Sequence, residues 1–265
     1  MWVRLPPASL ACFDDARSLA GRAGLDFHRS GLNSSQIARH MNIPRATIRG
    51  WIDPRYVRLV VGCRGCFRCE RTSNVPGPDY VYLLGLYLGD GCLSGHAKGV
   101  WRLRIFQDTR YAGLIAECRL AMASVTTARV GLRKCIGCVE ISAYWKHWIH
   151  LFPQHGPGLK WRRRIVLEQW QRELTSAYPA QLLRGLIHSD GCRSLNTVRR
   201  RWSGREAQYA YPRYFFTNAS DDIRNLFTDT CDQLEVRWTQ TNARSIAISR
   251  HGDVAFLDRF IGPKS

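Results

Sequence analysis

The hydrophobic pattern changes period repeatedly along the chain, and the changes mark its elements. Residues 80–89, "YVYLLGLYLG", are apolar almost all round, which predicts a buried helix. In "WRLRIF" the period falls to two: Trp101, Leu103 and Ile105 alternate with Arg102 and Arg104, as in a strand with an apolar and a basic face. Val130 and Leu132 alternate with Arg129 and Arg133 in the same way. Carried on, the pattern predicts helix 80–89, strands 92–95 and 101–106, helix 109–124, strands 129–134 and 138–143, and helix 145–152. It then predicts helix 179–189, strands 193–201 and 209–217, helix 220–233, strands 235–240 and 244–249, and helix 252–261. In this second run Arg199, Arg201, Arg213, Arg237 and Arg244 fall on strands. Both runs read αββαββα, so the fold class is α+β, with two pseudo-symmetric halves at 79–153 and 179–265. A connection at 154–178 holds a helix of its own near 167–176.

The first 58 residues form a separate unit. "SGLNSSQIARHMNIPRATIRGWI" predicts two short helices around a tight turn. Asn33 or Ser34 caps the first, Ile37 and Met41 give it an apolar side, and small Ala38 sits where the helices cross. Asn42 stands where the turn needs a left-handed residue, and Pro44 suits the first turn of the second helix. Ile43, Ile48 and Trp51 supply a small core. The segment is similar to the helix-turn-helix units of resolvases and small repressors, which would turn Arg45, Thr47 and Arg49 toward a DNA major groove. The alternative is an ordinary helical hairpin. Residues 59–78 read as a linker. Its Cys63, Cys66 and Cys69 have metal-chelating spacing, and Cys135 and Cys138 form another pair. A structural zinc site wants four ligands, so unpaired thiols are the expected state.

One stretch is written twice. "YLLGLYLGDGCLS", starting at Tyr82, and "LRGLIHSDGCRS", starting at Leu183, align at an offset of one hundred residues. Gly85, Leu86, Asp90, Gly91, Cys92 and Ser94 match Gly185, Leu186, Asp190, Gly191, Cys192 and Ser194. Gly85 and Gly89 share a helix face, as do Gly185 and Ser189, and a ridge of tiny residues lets two helices approach closely. Each helix then brings its last acid, Asp90 or Asp190, to the same place. A carboxylate at a helix C-terminus faces the negative end of the dipole, and two together repel. A divalent cation relieves both, and Mg2+ binds through one or two carboxylates plus phosphate oxygens. The pair therefore points to metal-assisted phosphodiester hydrolysis.

Charge narrows the partner. The chain has 265 residues and a net charge of +18, with 34 of its 39 basic residues Arg. That excess predicts a polyanion, most simply double-stranded DNA, with RNA as the alternative. No apolar run approaches the roughly 20 residues that span a membrane. The opening "MWVRLPPASLACF" does not read as a secretory signal, so a cytoplasmic protein (nucleoid-associated in a bacterium) with reduced thiols is expected.

With these motifs in place, residues 79–265 resemble the LAGLIDADG homing endonucleases in their single-chain, two-motif form. The resemblance implies that the motif helices pack as a pseudo-symmetric interface within a monomer. It implies that Asp90 and Asp190 bind Mg2+ or Mn2+, helped by the backbone carbonyls of Gly89 and Ser189. It also implies a polar residue ending the second strand of each half, here Gln107 and Asn218, and a lysine after the last helix, here Lys160 and Lys264. Both lysines follow a Gly-Pro, and the chain has five Lys in all. The implied surface is a concave sheet saddle whose arginines face the major groove. Tyr87-Leu88 and Ile187-His188 depart from the family pattern at mid-helix, where tolerance is expected. Asn218 in place of Gln is expected to weaken one of the two sites.

The implied function is a site-specific, metal-dependent DNA endonuclease with a second reading head at 1–58. Its rivals are a catalytically silent DNA-binding regulator and an RNA-splicing helper. No splicing motifs flank the unit, so an intein is not expected.

Overall fold

The computed structural model describes residues 23–24, 26–52, 77–202, 205–262 and 264, without the side chains of residues 46, 50, 51, 200–202 and 205–207. Residues 53–76, with Cys63, Cys66 and Cys69 of the expected linker, lie outside them.

Helix α1 (Ser34–Met41) and helix α2 (Arg45–Ile52) form the N-terminal pair. Asn33 caps α1 through a reciprocal bond with Gln36, and Asn42 takes the left-handed conformation expected of it, at φ 52° and ψ 43°. Ile37 and Ile48 are fully buried, whereas Ile43 is half-buried. Trp51, expected in this core, has its side chain outside the described set. Pro44 sits one position before α2, and its carbonyl accepts from the Thr47 and Ile48 amides.

The first half runs α3 (Gly77–Asp90), β1 (Gly91–Gly95), β2 (Trp101–Asp108), α4 (Ala112–Val125), β3 (Gly131–Lys134), β4 (Cys138–Trp145) and α5 (Trp148–Leu151). Helix α6 (Gln169–Ala177) lies in the connection. The second half runs α7 (Pro179–Asp190), β5 (Gly191–Trp202), β6 (Arg205–Thr217), α8 (Asp221–Gln233), β7 (Thr239–Asn242), β8 (Ser245–Ile248) and α9 (His251–Asp258). Each half carries a four-stranded antiparallel sheet, ordered β1-β2-β4-β3 and β5-β6-β8-β7. The αββαββα reading of both halves therefore holds. Helix α5 is much shorter than its predicted range, and β7 overlaps the predicted 235–240 only at residues 239 and 240. No described helix is long and apolar enough to cross a membrane.

One core joins the halves, and α3 and α7 are its axis. Tyr80, Val81, Leu83, Leu84 and Leu88 of α3 are fully buried, as are Leu183 and Leu186 of α7. The glycine ridge explains the approach. A Cβ on Gly85 would lie 2.8 Å from the Gly185 Cα, and one on Gly185 would lie 2.3 Å from the Tyr82 carbonyl oxygen. The helices meet backbone to backbone there. Gly91 and Gly191 are needed for a similar reason. Gly191 is extended (φ −101°), not left-handed, but its Cβ would stand 2.7 Å from the Ile187 Cα. That of Gly91 would stand 2.5 Å from the Tyr87 Cα. Each strand can thus leave its helix without an intervening loop.

The halves differ in one dimension. Strands β1 and β2 have 5 and 8 residues, whereas β5 and β6 have 12 and 13. Strand β8 pairs with β6 only from Tyr214 to Thr217, while the β5–β6 ladder continues to Trp202 opposite Arg205. The outer part of β5–β6 is therefore a two-stranded ribbon running past its sheet for roughly 30 Å, at the ordinary rise per strand residue.

Gly185→Ala must move backbone, not a flexible side chain. It should cost about 1–3 kcal/mol in urea unfolding, the usual range for overpacking a core. An unchanged midpoint would show that the two helices are not in contact at this point.

Candidate active site

The helix axis sets the site. Helices α3 and α7 cross at the glycines and end side by side, so Asp90 and Asp190 leave the core together. A Cβ on Gly89 would fall 2.3 Å from the Ser189 Oγ and 2.9 Å from the Asp190 Oδ2, so the second carboxylate reaches across to the end of the first helix. Each acid has an amide partner from its own half. Gln107 Nε2, on β2, donates to Asp90 Oδ2 at 3.4 Å. Asn218 Nδ2, just past β6, donates to Asp190 Oδ2 at 2.6 Å. The shorter Asn is thus the closer partner.

The two lysines close the group. Lys160 Nζ donates to the carbonyls of Tyr87, Leu88 (3.0 Å), Gly89 (3.2 Å) and Gly91 (2.8 Å), and lies 4.9 Å from the centre of the Tyr87 ring. It neutralises the negative end of the α3 dipole. Lys264 Nζ donates to the Ser189 carbonyl at 3.2 Å, at the end of α7. The structure therefore gathers all six residues singled out as catalytic, each lysine at the motif of its own half.

Burial governs the electrostatics. It pushes the Asp90 carboxyl well up, and the Asp190 charge beside it adds to the shift; Lys264, Lys160 and Gln107 oppose it. Burial raises Asp190 as well, against Asn218 and both lysines. Burial brings Lys160 down to about 8 although both acids favour its charge. Lys264 is lowered for the same reason.

The donors at the two helix ends are all oxygen: two carboxylates and the carbonyls of Gly89 and Ser189. Among the described residues no group of three or more His, Cys, Asp and Glu side chains is gathered. An oxygen set of this kind suits a hard divalent cation, and paired carboxylates whose ionisation burial opposes are what such a charge relieves. The residues therefore fit Mg2+ or Mn2+, with one feature against it: an amine already rests on each of the two carbonyls.

Beside the acids lies a polar cluster that the sequence reading missed. His188 is buried and accepts at Nδ1 from Tyr82 Oη (2.9 Å), while its Nε2 donates to the Ile261 carbonyl (2.8 Å). Burial, then the Arg184 charge, brings its pKa down to about 4, so the ring is neutral. Arg184 pairs with Glu117 at 2.5 Å. The mid-helix departure at His188 thus makes buried contacts of its own.

The sheet faces follow the strand period in part. On β2, Arg102 and Arg104 lie opposite the core face formed by Leu103 and Ile105. Arg102 donates to Glu140 and to Ser142 Oγ (3.3 Å), and its guanidinium lies 5.0 Å from the Tyr144 ring centre. Arg133 donates to the other Glu140 oxygen at 2.6 Å. Glu140, fully buried, thus holds two of the predicted DNA-contacting arginines. Its signal was an acid inside the apolar run "VEISA". In the second half Arg213 donates to Asn196 (2.6 Å) and lies over the Phe215 ring.

Four expected positions need correction. Arg129 and Arg237 precede β3 and β7, and Arg244 sits in the β7–β8 turn. These outer strands are short edge strands, so the basic residues flank them. Arg237 is also tied to Asp253 at 3.0 Å. Arg199 pairs with Gln208, an odd number of residues beyond the Ser194–Arg213 pair, so the register puts it on the opposite face of the ribbon. The Arg201 side chain is not described. Arg45, Thr47 and Arg49 are exposed on α2.

Fold and site define a single-chain, two-motif arrangement of αββαββα halves with paired acids at the interface. No protein-family model matches the chain, and no curated protein does. Among solved structures, the LAGLIDADG meganuclease I-AabMI bound to uncleaved DNA is 14% identical, with 68% of this chain and 82% of that one covered and a TM-score of 0.44. I-DmoI in complex with DNA and Mn is 14% identical, over 70% and 97%, with a TM-score of 0.46. The N-terminal LAGLIDADG domain of DUF199/WhiA is 15% identical, over 71% and 85%, with a TM-score of 0.44. Two of the three, I-AabMI and the DUF199/WhiA domain, carry the family name that the two motifs resemble. At these values the likeness is one of fold.

Glu140→Ala removes the shared counter-charge of Arg102 and Arg133. It should cost about 1.5–3 kcal/mol, the range for buried hydrogen bonds to charged groups. Chemical denaturation reads this directly, and a loss no larger than that of an exposed Glu→Ala would refute the shared tie.

Proposed function

We propose that the chain is a site-specific DNA endonuclease that hydrolyses phosphodiester bonds with a divalent metal and makes double-strand breaks. The observation that carries this reading is the meeting of Asp90 and Asp190 at the ends of two packed motif helices, each with an amide and a lysine from its own half. Paired acids where burial opposes their charge are costly for a protein that only binds DNA. Asp90, Asp190 and the carbonyls of Gly89 and Ser189 would hold Mg2+ or Mn2+. A bound ion supplies Lewis acidity and neutralising charge for the hydrolysis. Gln107 and Asn218 fix the orientation of the two carboxylates, and Lys160 and Lys264 bring positive charge to the phosphate. Arg102, Arg104, Arg133 and Arg213 would lie along the duplex, with Arg129, Arg237 and Arg244 flanking the sheets. The exposed Arg45, Thr47 and Arg49 of α2 would form a second reading head. A monomer suffices, because both motifs lie in one chain.

A silent DNA-binding regulator is the second reading. It is favoured by the lysine amines resting on the Gly89 and Ser189 carbonyls, which compete with a metal for those oxygens.

The deciding experiment is cleavage of a plasmid library in Mg2+, wild type beside Asp90→Asn/Asp190→Asn. Cuts at one recurrent site by wild type alone are expected. Firm, salt-sensitive duplex binding by both proteins without cutting would favour the regulator. Tighter binding to structured RNA at matched salt would refute both.

Thermal melts give a further test. Both acids are raised in the fold, so ionising them costs more folded than unfolded, and their contribution to stability falls as pH rises above the ordinary carboxylate range. At pH 8 without metal, Asp90→Asn should therefore raise Tm. Added Mg2+ should raise Tm in wild type and not in Asp90→Asn/Asp190→Asn. An equal Mg2+ response in both proteins would remove the acids as ligands.

A further inference from the structure

We infer that His188 is a positioning residue for Lys264, and that this device serves the second half alone. The inference rests on the proposed catalytic site for its consequence in cleavage, but not for its geometry. The chain reaches Lys264 from α9 through Ile261, whose side chain is buried in the shared core. The Ile261 carbonyl can only accept, so His188 Nε2 must carry the proton in their 2.8 Å bond. His188 Nδ1 then accepts from Tyr82 Oη at 2.9 Å, closer than the Glu117 Oε2 that shares this hydroxyl at 3.3 Å, and the bond orients the ring. Arg184 Nε lies 3.5 Å from the same carbonyl. From Ile261 the chain turns through Gly262 at φ +72° and delivers Lys264 to the Ser189 carbonyl.

The lysine stands three positions beyond the anchored carbonyl's residue, a reach of about 10 Å when extended. Holding Ile261 therefore confines the Lys264 amine to the end of α7. His188 and Ser189 are consecutive on α7, so one helix turn holds both the anchor and the acceptor.

The first half uses other means. At the hundred-residue offset, His188 and Tyr82 have no counterparts: Leu88 stands for His188, and Leu182 stands for Tyr82. Lys160 is instead held by four carbonyls and the face of Tyr87. Loss of His188 should loosen one lysine and leave the other in place.

The test reads each amine separately, which the chain's five Lys permit. Wild type, His188→Leu and His188→Gln are trace-acetylated with isotope-labelled acetic anhydride, and each lysine is quantified by peptide mass. In wild type, Lys160 and Lys264 should be the slowest to react. In His188→Leu, Lys264 should react several-fold faster and Lys160 at its wild-type rate. His188→Gln, whose amide can donate to the Ile261 carbonyl, should restore protection. Tyr82→Phe, which frees the ring without touching Ile261, should shift Lys264 the same way, and it stands in if His188→Leu does not fold. Unchanged Lys264 reactivity in the folded variants, or equal exposure of both lysines, would overturn the inference.

On a cleavable plasmid, His188→Leu should accumulate the nicked intermediate. Adding it to Lys264→Met should change the rate of the slow strand by no more than about twofold, as for two changes acting through one group. Independent, additive losses would make His188 a packing residue only. If wild type does not cut, the endonuclease reading fails, while the amine reactivities still decide the role of His188.

Discussion

Everything in this molecule depends on how closely α3 and α7 approach. Their backbones touch at Gly85 and Gly185, where neither helix has room for a methyl group. A contact of this kind gains dispersion along the full length of both helices and fixes their relative translation. That translation is what puts two carboxylates within reach of each other. The constraint also explains why the glycines come in register with the acids. A helix turn separates Gly85 from Asp90, so the place of closest approach and the place of chemistry are set by the same few residues.

Around that axis, selected arginines are held by acids. Glu140 lies beneath two arginines, Glu117 beside Arg184, and Asp253 beside Arg237. The chain carries 39 basic residues against 21 acidic ones, so these acids are spent at chosen points. They leave most of the basic surface unneutralised while keeping selected guanidinium groups in fixed orientation. A paired Arg approaches a phosphate or a base edge with much of its side-chain entropy already lost.

The repeat was legible because it is written in residues that admit no substitutes: small residues at the crossing, an acid at the end, a glycine where the strand begins. The strand faces of β2 were legible because the core enforces a period of two. What escaped has a physical reason in each case. The β5–β6 ribbon runs on where no third strand pairs with it, and β6, expected from residue 209, starts at Arg205. Arg129, Arg237 and Arg244 were placed on strands that prove short, since edge strands have a partner on one side only. Glu140 and His188 were invisible as partners because their contacts come from residues distant in sequence. A lone polar residue in an apolar run says that something must pair with it, but not what.

The ribbon has a geometric consequence. A body built on an internal twofold would ordinarily match a partner with the same twofold. Here one arm extends about 30 Å past its sheet and the other does not. The molecule therefore has a head and a tail along the line joining its halves. A palindromic duplex would present the same face to a long arm and a short one, and could satisfy only one of them. A duplex bound as proposed would be gripped unequally by the two halves.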